Sequence, residues 1–116
     1  MPFKLTDLLE QKAHEVENIL QKRFDQDIFL STLAREVALN DEYLRLAFKA
    51  VYGISVSKYL RMVRLQKVCE LLKNPLLDIE QIATRVNFSD ATNLTHAFRK
   101  QYGMPPGVNR RKRIDI

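Results

Sequence analysis

The amino-acid sequence predicts an all-α fold of about seven helices, and three observations support this prediction. Apolar residues recur at steps of three and four along most of the 116 residues, which is the spacing of one helix face. The three glycines and four prolines stand where helices would end, as Gly53, Pro75 and Gly103 do. Alternation of apolar and polar residues never persists long enough to indicate a β-sheet.

The first half of the chain is predicted to hold a long amphipathic helix followed by a pair of shorter helices. Thr6 is expected to cap the long helix, with Asp7 in its first turn. The shorter helices are predicted at 30–37 and 41–52, and Ala38-Leu39 is predicted to form the turn between them. Asn40 is expected to cap the second of these helices, and Gly53 to end it in the left-handed conformation.

A longer helix over 55–73 is predicted to link the two halves of the chain and to end at Asn74-Pro75. Its apolar side is formed by Val56, Tyr59, Leu60, Val63, Leu71 and Leu72. At a rise of ~1.5 Å per residue such a helix spans about 28 Å. That length is close to the ~34 Å between successive major-groove segments on one side of B-DNA.

The second half repeats the pair of shorter helices. Asp78 and Gln81 have the spacing of a capping box, Asn87 occupies a turn where asparagine tolerates positive φ, and Asp90 can cap the next helix. The predicted elements are a helix over 78–86, a helix over 91–102, a short helix after Pro105-Pro106 and the basic tail 110–113. The predicted domains are 1–54, 55–74 and 75–116, in which the linking helix joins two similar subdomains.

The similarity between the halves extends to individual residues, about fifty positions apart. The first copy is Leu33-Ala34, Val37, Leu44, Phe48 and Tyr52-Gly53, and the second is Ile82-Ala83, Val86, Leu94, Phe98 and Tyr102-Gly103. One extra residue in the second turn aligns every pair. Each copy has the form of a helix-turn-helix, in which the second helix can lie in a DNA major groove. Two copies suggest a monomer that reads two groove segments.

Charge and composition limit the classes of function that the protein can have. Lys and Arg number 19 against 14 Asp and Glu, a net charge of +5, which suits nucleic acid, an anionic membrane surface or an acidic partner. Cys69 is the only cysteine, so an intrachain disulfide and a cysteine-based zinc cluster are excluded, and no cofactor is expected. No stretch approaches the ~18 apolar residues of a membrane span, and no signal peptide is apparent. We expect a protein of the reducing cytoplasm.

The outward residues of the second helix in each copy are suited to reading base edges. Arg45 can donate two hydrogen bonds to guanine, Glu42 can accept one from cytosine N4, and Leu46 can contact only a thymine methyl. Asn93 can pair with adenine. The predicted base-contacting residues are Glu42, Arg45, Leu46, Ala91, Thr92, Asn93, Thr95 and His96. The alternative is that these side chains only keep the helix faces soluble.

Basic residues around these helices are suited to contacts with phosphate. The predicted phosphate-contacting residues are Lys49, Arg61, Arg64, Lys67, Arg99, Lys100, Arg110 and Arg111. The N-termini of the helices over 30–37 and 78–86 can add backbone N–H donors. Two alternatives stay open. The 110–113 run can be a solvated tail, and Arg64 can instead tie carbonyls or carboxylates together within the protein.

From about Phe29 to Arg110 the chain resembles the AraC/XylS family of bacterial transcription regulators. The residues that carry the resemblance are Leu33-Ala34, Tyr43-Leu44, Phe48-Lys49, Gly53, Tyr59-Leu60, Arg64-Leu65, Leu71-Leu72, Ile79, Ile82-Ala83, Phe88, Leu94, Phe98-Arg99, Gly103 and Pro106. The resemblance implies two helix-turn-helix subdomains that bind double-stranded DNA asymmetrically and, for most members, activation through RNA polymerase. The chain departs from the pattern at Asn87, a customary glycine, and at Gly107 and Asn109, where a small polar residue and an aromatic are usual.

Other functions compete with DNA binding. Because Leu46 and Ala91 are poor base readers, a helical adaptor that binds RNA polymerase or an acidic partner is the second hypothesis. An enzyme is disfavoured, because His14 and His96 are far apart in sequence and no phosphate-binding glycine loop or metal-ligand spacing is present. Most family members carry a sensing or dimerisation domain, so we expect either a stand-alone regulator or the DNA-binding portion of one.

Overall fold

The structure, a computed structural model, describes the backbone of residues 4–114 and the side chains of residues 4–111. That part of the chain contains seven helices and no strand: α1 (Leu5–Lys22), α2 (Leu30–Glu36), α3 (Asp41–Tyr52), α4 (Val56–Leu71), α5 (Ile79–Arg85), α6 (Ala91–Tyr102) and α7 (Pro106–Ile114). The predicted all-α fold is confirmed. Within the same residues, no helix has the length and apolar character needed to cross a membrane.

The ends of α3, α5 and α6 are formed by the residues that the sequence predicted for this role. Asn40 and Asp90 each accept a hydrogen bond from the backbone N–H three residues further on, at 2.8 and 2.7 Å. Asp78 completes a capping box at the start of α5. Gly53 and Gly103 end α3 and α6 with φ of 79° and 80°. These signals give α3 and α6 the same length of 12 residues.

The turns that precede α3 and α6 have the same backbone geometry. Ala38 and Asn87 both adopt the left-handed conformation, with φ of 59° and 62°. The N–H of the following residue donates to the carbonyl oxygen of Ala34 in the first turn and of Ala83 in the second, at 2.9 Å in both. The positive φ predicted for Asn87 is therefore confirmed, whereas the positive φ of Ala38 was not predicted. The repeat in the sequence therefore corresponds to a repeat in the backbone structure.

The start of α1 differs from the prediction. The helix begins at Leu5, and its N-cap is Lys4, which makes no side-chain capping bond. The backbone N–H groups of Asp7 and Leu8 donate to the Lys4 carbonyl oxygen at 3.1 and 3.2 Å. Thr6 is therefore inside the first helical turn, where its hydroxyl cannot act as the cap, and the predicted capping role of Thr6 is wrong.

The linking helix α4 is shorter than the predicted 55–73. After Leu71 the chain tightens, because the N–H groups of Lys73 and Asn74 donate to carbonyl oxygens three residues earlier, at 3.2 and 3.0 Å. The helix begins after Ser55, whose hydroxyl accepts a hydrogen bond from the Lys58 N–H at 3.2 Å. A helix of 16 residues spans about 24 Å.

The chain forms two compact units that divide within α4, one up to Val63 and one from Arg64. The division into 1–54, 55–74 and 75–116 stays a prediction. In the first unit α1 and α2 pack against α3. The core of this unit consists of Ala13, Val16, Leu20, Leu33, Ala34, Val37, Leu44, Phe48 and Leu60.

In the second unit α5 packs against α6, and α6 packs against α7. Its buried apolar residues are Leu65, Val68, Leu72, Leu77, Ile82, Ala83, Val86, Leu94 and Phe98. The apolar side predicted for α4 omits Leu65 and Val68. Residues two positions apart on a helix point in nearly opposite directions, so Leu65 cannot share a face with the buried Val63. The helix therefore has a second apolar stripe.

Candidate nucleic-acid interface

The outward side of α3 mixes charged and apolar side chains. Its exposed residues are Asp41, Glu42, Tyr43, Arg45, Leu46, Lys49 and Ala50. The inward side is formed by Leu44, Ala47 and Phe48, which are buried. Leu46 is 51% exposed and Tyr43 is 56% exposed. Tyr43 was not among the predicted contacts. The sequence signal that could have identified Tyr43 is its position three residues before Leu46, because residues at this spacing lie next to each other on a helix surface.

Glu42 and Arg45, predicted to contact separate bases, bind each other across one turn of α3. The Arg45 Nε donates to Glu42 Oε2 at 3.1 Å, and the Arg45 Nη2 donates to Glu42 Oε1 at 2.5 Å. This hydrogen bonding lowers the pKa of Glu42 and raises the pKa of Arg45. Both side chains are half or more exposed, so their remaining groups are accessible to a ligand.

The outward side of α6 is polar and carries no carboxylate. Of its predicted contacts, Thr92, Asn93, His96, Arg99 and Lys100 are exposed, and Ala91 and Thr95 are half-buried. Leu94 and Phe98 are fully buried and fix this orientation of the helix. Ala91 and Thr95 therefore offer less surface to a base than the other predicted contacts do.

Asn93 already makes hydrogen bonds within the protein. Its backbone N–H donates to Asp90 Oδ1 at 2.7 Å, and its side-chain Nδ2 donates to the Ser89 Oγ. A carboxamide has two donor hydrogens and two acceptor lone pairs. The bond to Ser89 uses one of these four, and a donor and the acceptor oxygen remain for adenine.

The predicted phosphate contacts fall into two groups. Lys49, Arg61, Arg99, Lys100 and Arg111 are exposed, whereas Arg64, Lys67 and Arg110 are half-buried. Lys67 Nζ lies 3.7 Å from Glu70 Oε2, and Arg64 also interacts with other groups of the chain. The exposed group can reach a phosphate without giving up an internal contact that the structure describes.

Arg110 has a structural role that the sequence analysis did not assign to it. Its Nε donates to the Leu72 carbonyl oxygen at 3.0 Å, and its Nη2 donates to the Asn74 carbonyl oxygen at 3.3 Å. Both carbonyls follow the last residue of α4, and that of Asn74 also accepts a hydrogen bond from the Leu77 N–H at 3.2 Å. In the sequence, a tie to carbonyls is an alternative for Arg64 and not for Arg110. Contact between Arg110 and phosphate stays a prediction, and two of its five N–H groups are already used.

The other reactive side chains are part of the packing. His14 Nδ1 lies 2.6 Å from the Tyr52 Oη, and the two rings meet edge to face with centroids 5.6 Å apart. Cys69 is half-buried next to Tyr102. Burial, with the hydrogen bond to Cys69 as a second cause, raises the pKa of Tyr102 to about 12. Among the described residues, no group of three His, Cys, Asp or Glu side chains could hold a metal ion.

Comparison with known proteins places the chain among bacterial regulators. A family profile described as "Helix-turn-helix domain" matches residues 33–112. The Msm operon regulatory protein of Streptococcus mutans is 27% identical over an alignment of 116 positions, which covers 95% of this chain and 42% of that protein. The chain therefore spans less than half the length of that relative.

Two solved structures have the same fold. The C-terminal domain of AraT, a response regulator from Geobacillus stearothermophilus, matches with a TM-score of 0.82 and 31% identity, covering 87% of this chain and 84% of that chain. The DNA-binding domain of AdpA, a global transcriptional factor in complex with a target DNA, matches with a TM-score of 0.80 and 21% identity, covering 86% of this chain and 90% of that chain. The AdpA likeness shows the fold alone.

The family match covers both helix-turn-helix copies, and the similar proteins are regulators and not enzymes. The chain belongs to the AraC-type helix-turn-helix family of transcription regulators.

Proposed function

We propose that the protein is a sequence-specific double-stranded DNA-binding transcription regulator. In this proposal α3 and α6 enter adjacent major-groove segments as recognition helices. The observation that carries it is the duplicated unit: the same left-handed turn, closed by the same 2.9 Å hydrogen bond, precedes two capped helices whose outward sides both carry hydrogen-bonding side chains. The DNA complex of AdpA, a domain of the same fold, supports this reading.

We propose that α3 and α6 contact different bases of the target sequence. On α3, Arg45 donates to guanine and Leu46, with Tyr43 beside it, contacts a thymine methyl. On α6, Asn93 pairs with adenine, and Thr92 and His96 add single hydrogen bonds. Ala91 and Thr95 contribute apolar or single contacts from their half-buried positions.

Phosphate contacts are proposed to set the position of the protein on the duplex. The proposed residues with exposed side chains are Lys49, Arg61, Arg99, Lys100 and Arg111, and those with half-buried side chains are Arg64, Lys67 and Arg110. A monomer suffices, because both recognition helices belong to one chain.

Selection of bound sequences from random genomic fragments, followed by fluorescence anisotropy, tests the proposal. We expect one sequence to be enriched over bulk DNA at moderate salt. With about six to ten phosphate contacts, the binding constant should fall ~10³–10⁵-fold between about 50 and 200 mM salt. The absence of any enriched sequence would contradict specific recognition, and a flat salt response would contradict the proposed set of phosphate contacts.

We further propose that the regulator is an activator, located at the nucleoid, that contacts RNA polymerase. The family resemblance supports this, since activation through polymerase is what it implies for most members. Transcription in vitro from a promoter that carries the selected sequence measures the sign of the effect. More transcript with added protein is expected, and less transcript would identify a repressor.

A helical adaptor is the second candidate function. The exposed strip formed by Tyr43 and Leu46 favours it, because exposed apolar side chains often contact another protein. The variant Arg45→Ala separates the two functions. The DNA-binding proposal predicts a loss of about 1–3 kcal/mol in binding free energy and a relaxed choice at one base pair. The adaptor hypothesis predicts that DNA binding is unchanged.

A further inference from the structure

The ion pair on α3 leaves one edge of the Arg45 guanidinium open. A guanidinium carries five N–H donors in a planar fork. Glu42 accepts from Nε and Nη2, which form the side edge of that fork, at 3.1 and 2.5 Å. The end edge, formed by Nη1 and the second hydrogen of Nη2, is not used by Glu42. Two parallel donors on that edge match the O6 and N7 acceptors of guanine.

The pair also changes the charge that Arg45 presents to DNA. The carboxylate of Glu42 is bound to the guanidinium, so the two side chains together have no net charge at neutral pH. Such a pair is weakly attracted to phosphate, because nonspecific attraction to DNA depends on net positive charge. Arg45 can still donate two hydrogen bonds to guanine while it is paired with Glu42.

We propose that Glu42 is a positioning residue, which holds Arg45 with its end edge outward to read one guanine and reads no base itself. This inference rests on the proposed function of α3 as a recognition helix. It replaces the earlier expectation that Glu42 contacts a cytosine. Glu42 then raises the discrimination between sequences while lowering the attraction to bulk DNA.

The test compares Glu42→Gln with Arg45→Ala and with a matched control, Asp41→Asn. Asp41 is also an exposed carboxylate in the first turn of α3, so its neutralisation makes the same change in net charge at the same helix end. Binding of the selected sequence and of each of its single-base variants is measured by fluorescence anisotropy for all three variants and the unaltered protein.

We expect Glu42→Gln to relax the choice at the base pair that Arg45→Ala relaxes, by about three- to tenfold. Binding of Glu42→Gln to bulk DNA should tighten, and its salt slope should increase by about one. Asp41→Asn should keep the base preferences of the unaltered protein. A changed preference at a different base pair would show that Glu42 reads its own base and would overturn the inference, as would unchanged discrimination in Glu42→Gln.

A measurement without DNA tests the pair itself. In the free protein, an NMR titration should give a Glu42 pKa below its ordinary value, because of the hydrogen bonds from Arg45, and Arg45→Ala should return it toward that value. An unshifted Glu42 pKa in the unaltered protein would overturn the inference even if DNA binding is specific. Failure to enrich any sequence would instead overturn the proposed function, so the two failures are distinguishable.

Discussion

Ala38 has a left-handed backbone conformation, with φ of 59°, which is uncommon for alanine. Its partner in the repeat, Asn87, has almost the same φ, and asparagine tolerates the left-handed region better. Both turns need this conformation, because it allows the next N–H to reach back to the first helix of each pair. The first turn is therefore held in place by the packing of α2 and α3 despite local strain.

Ala38→Gly is expected to stabilise the protein by about 0.5–1 kcal/mol. Removing Cβ relieves a left-handed strain of about 1–2 kcal/mol, and the greater freedom of glycine in the unfolded chain offsets part of this gain. Ala38 is exposed, so no buried contact is lost. The free energy of unfolding is measured by urea titration. Ala50→Gly, at an exposed position inside α3, is the control and should destabilise by about 0.5–1 kcal/mol. A lower midpoint for Ala38→Gly would contradict this account of the turn.

At the scale of the elements, the Arg110 side chain joins α7 to the segment that follows α4. Arg110 donates to two carbonyls that follow the last turn of α4. Cationic donors stabilise helix C-termini in this way because the last carbonyls have no helical partners and carry partial negative charge. Arg111, its exposed neighbour on α7, has no comparable bond among the described residues. Two adjacent arginines thus differ in their contacts within the protein.

Arg110→Ala is expected to lower the stability of the protein, whereas Arg111→Ala is expected to change the salt dependence of DNA binding. Arg110→Ala should lower the free energy of unfolding by about 1–2 kcal/mol, since a partly solvated pair of charged hydrogen bonds is lost. Arg111→Ala should leave stability within about 0.5 kcal/mol and reduce the salt slope of DNA binding by about one. Thermal unfolding and anisotropy at several salt concentrations measure the two effects. Equal stability of the two variants would contradict the structural role of Arg110.

Across the whole molecule, charge is distributed unevenly between α3 and α6. The α3 helix carries two acidic residues, Asp41 and Glu42, against Arg45 and Lys49, while α6 carries basic residues in its last turn and no acidic residue. Attraction to phosphate depends on net positive charge. We therefore expect α6 to contribute more to affinity for any DNA, and α3 to contribute more to the choice between sequences.

The positions of the helices could be predicted from the sequence because their signals are local. Caps, left-handed glycines and the spacing of apolar residues act over three or four positions, so the bounds of α3 and α6 were predicted correctly. The error at Thr6 has the same origin, since a threonine before an apolar pattern resembles a cap even when the true cap, here Lys4, lies two residues earlier. The second apolar stripe of α4 was missed because a helix with two buried faces shows no single periodic side.

The sequence by itself determined the all-helical fold, the duplicated turn and the outward position of most candidate contacts. The tertiary structure decided which side chains have partners. The bond from Arg110 to the Leu72 carbonyl joins residues 38 positions apart, a contact that no local pattern records. The Glu42–Arg45 pair spans only three positions, yet two charged residues on one helix face are equally compatible with separate ligands. Only the geometry of the two side chains shows that they bind each other, because hydrogen bonding depends on distance and angle.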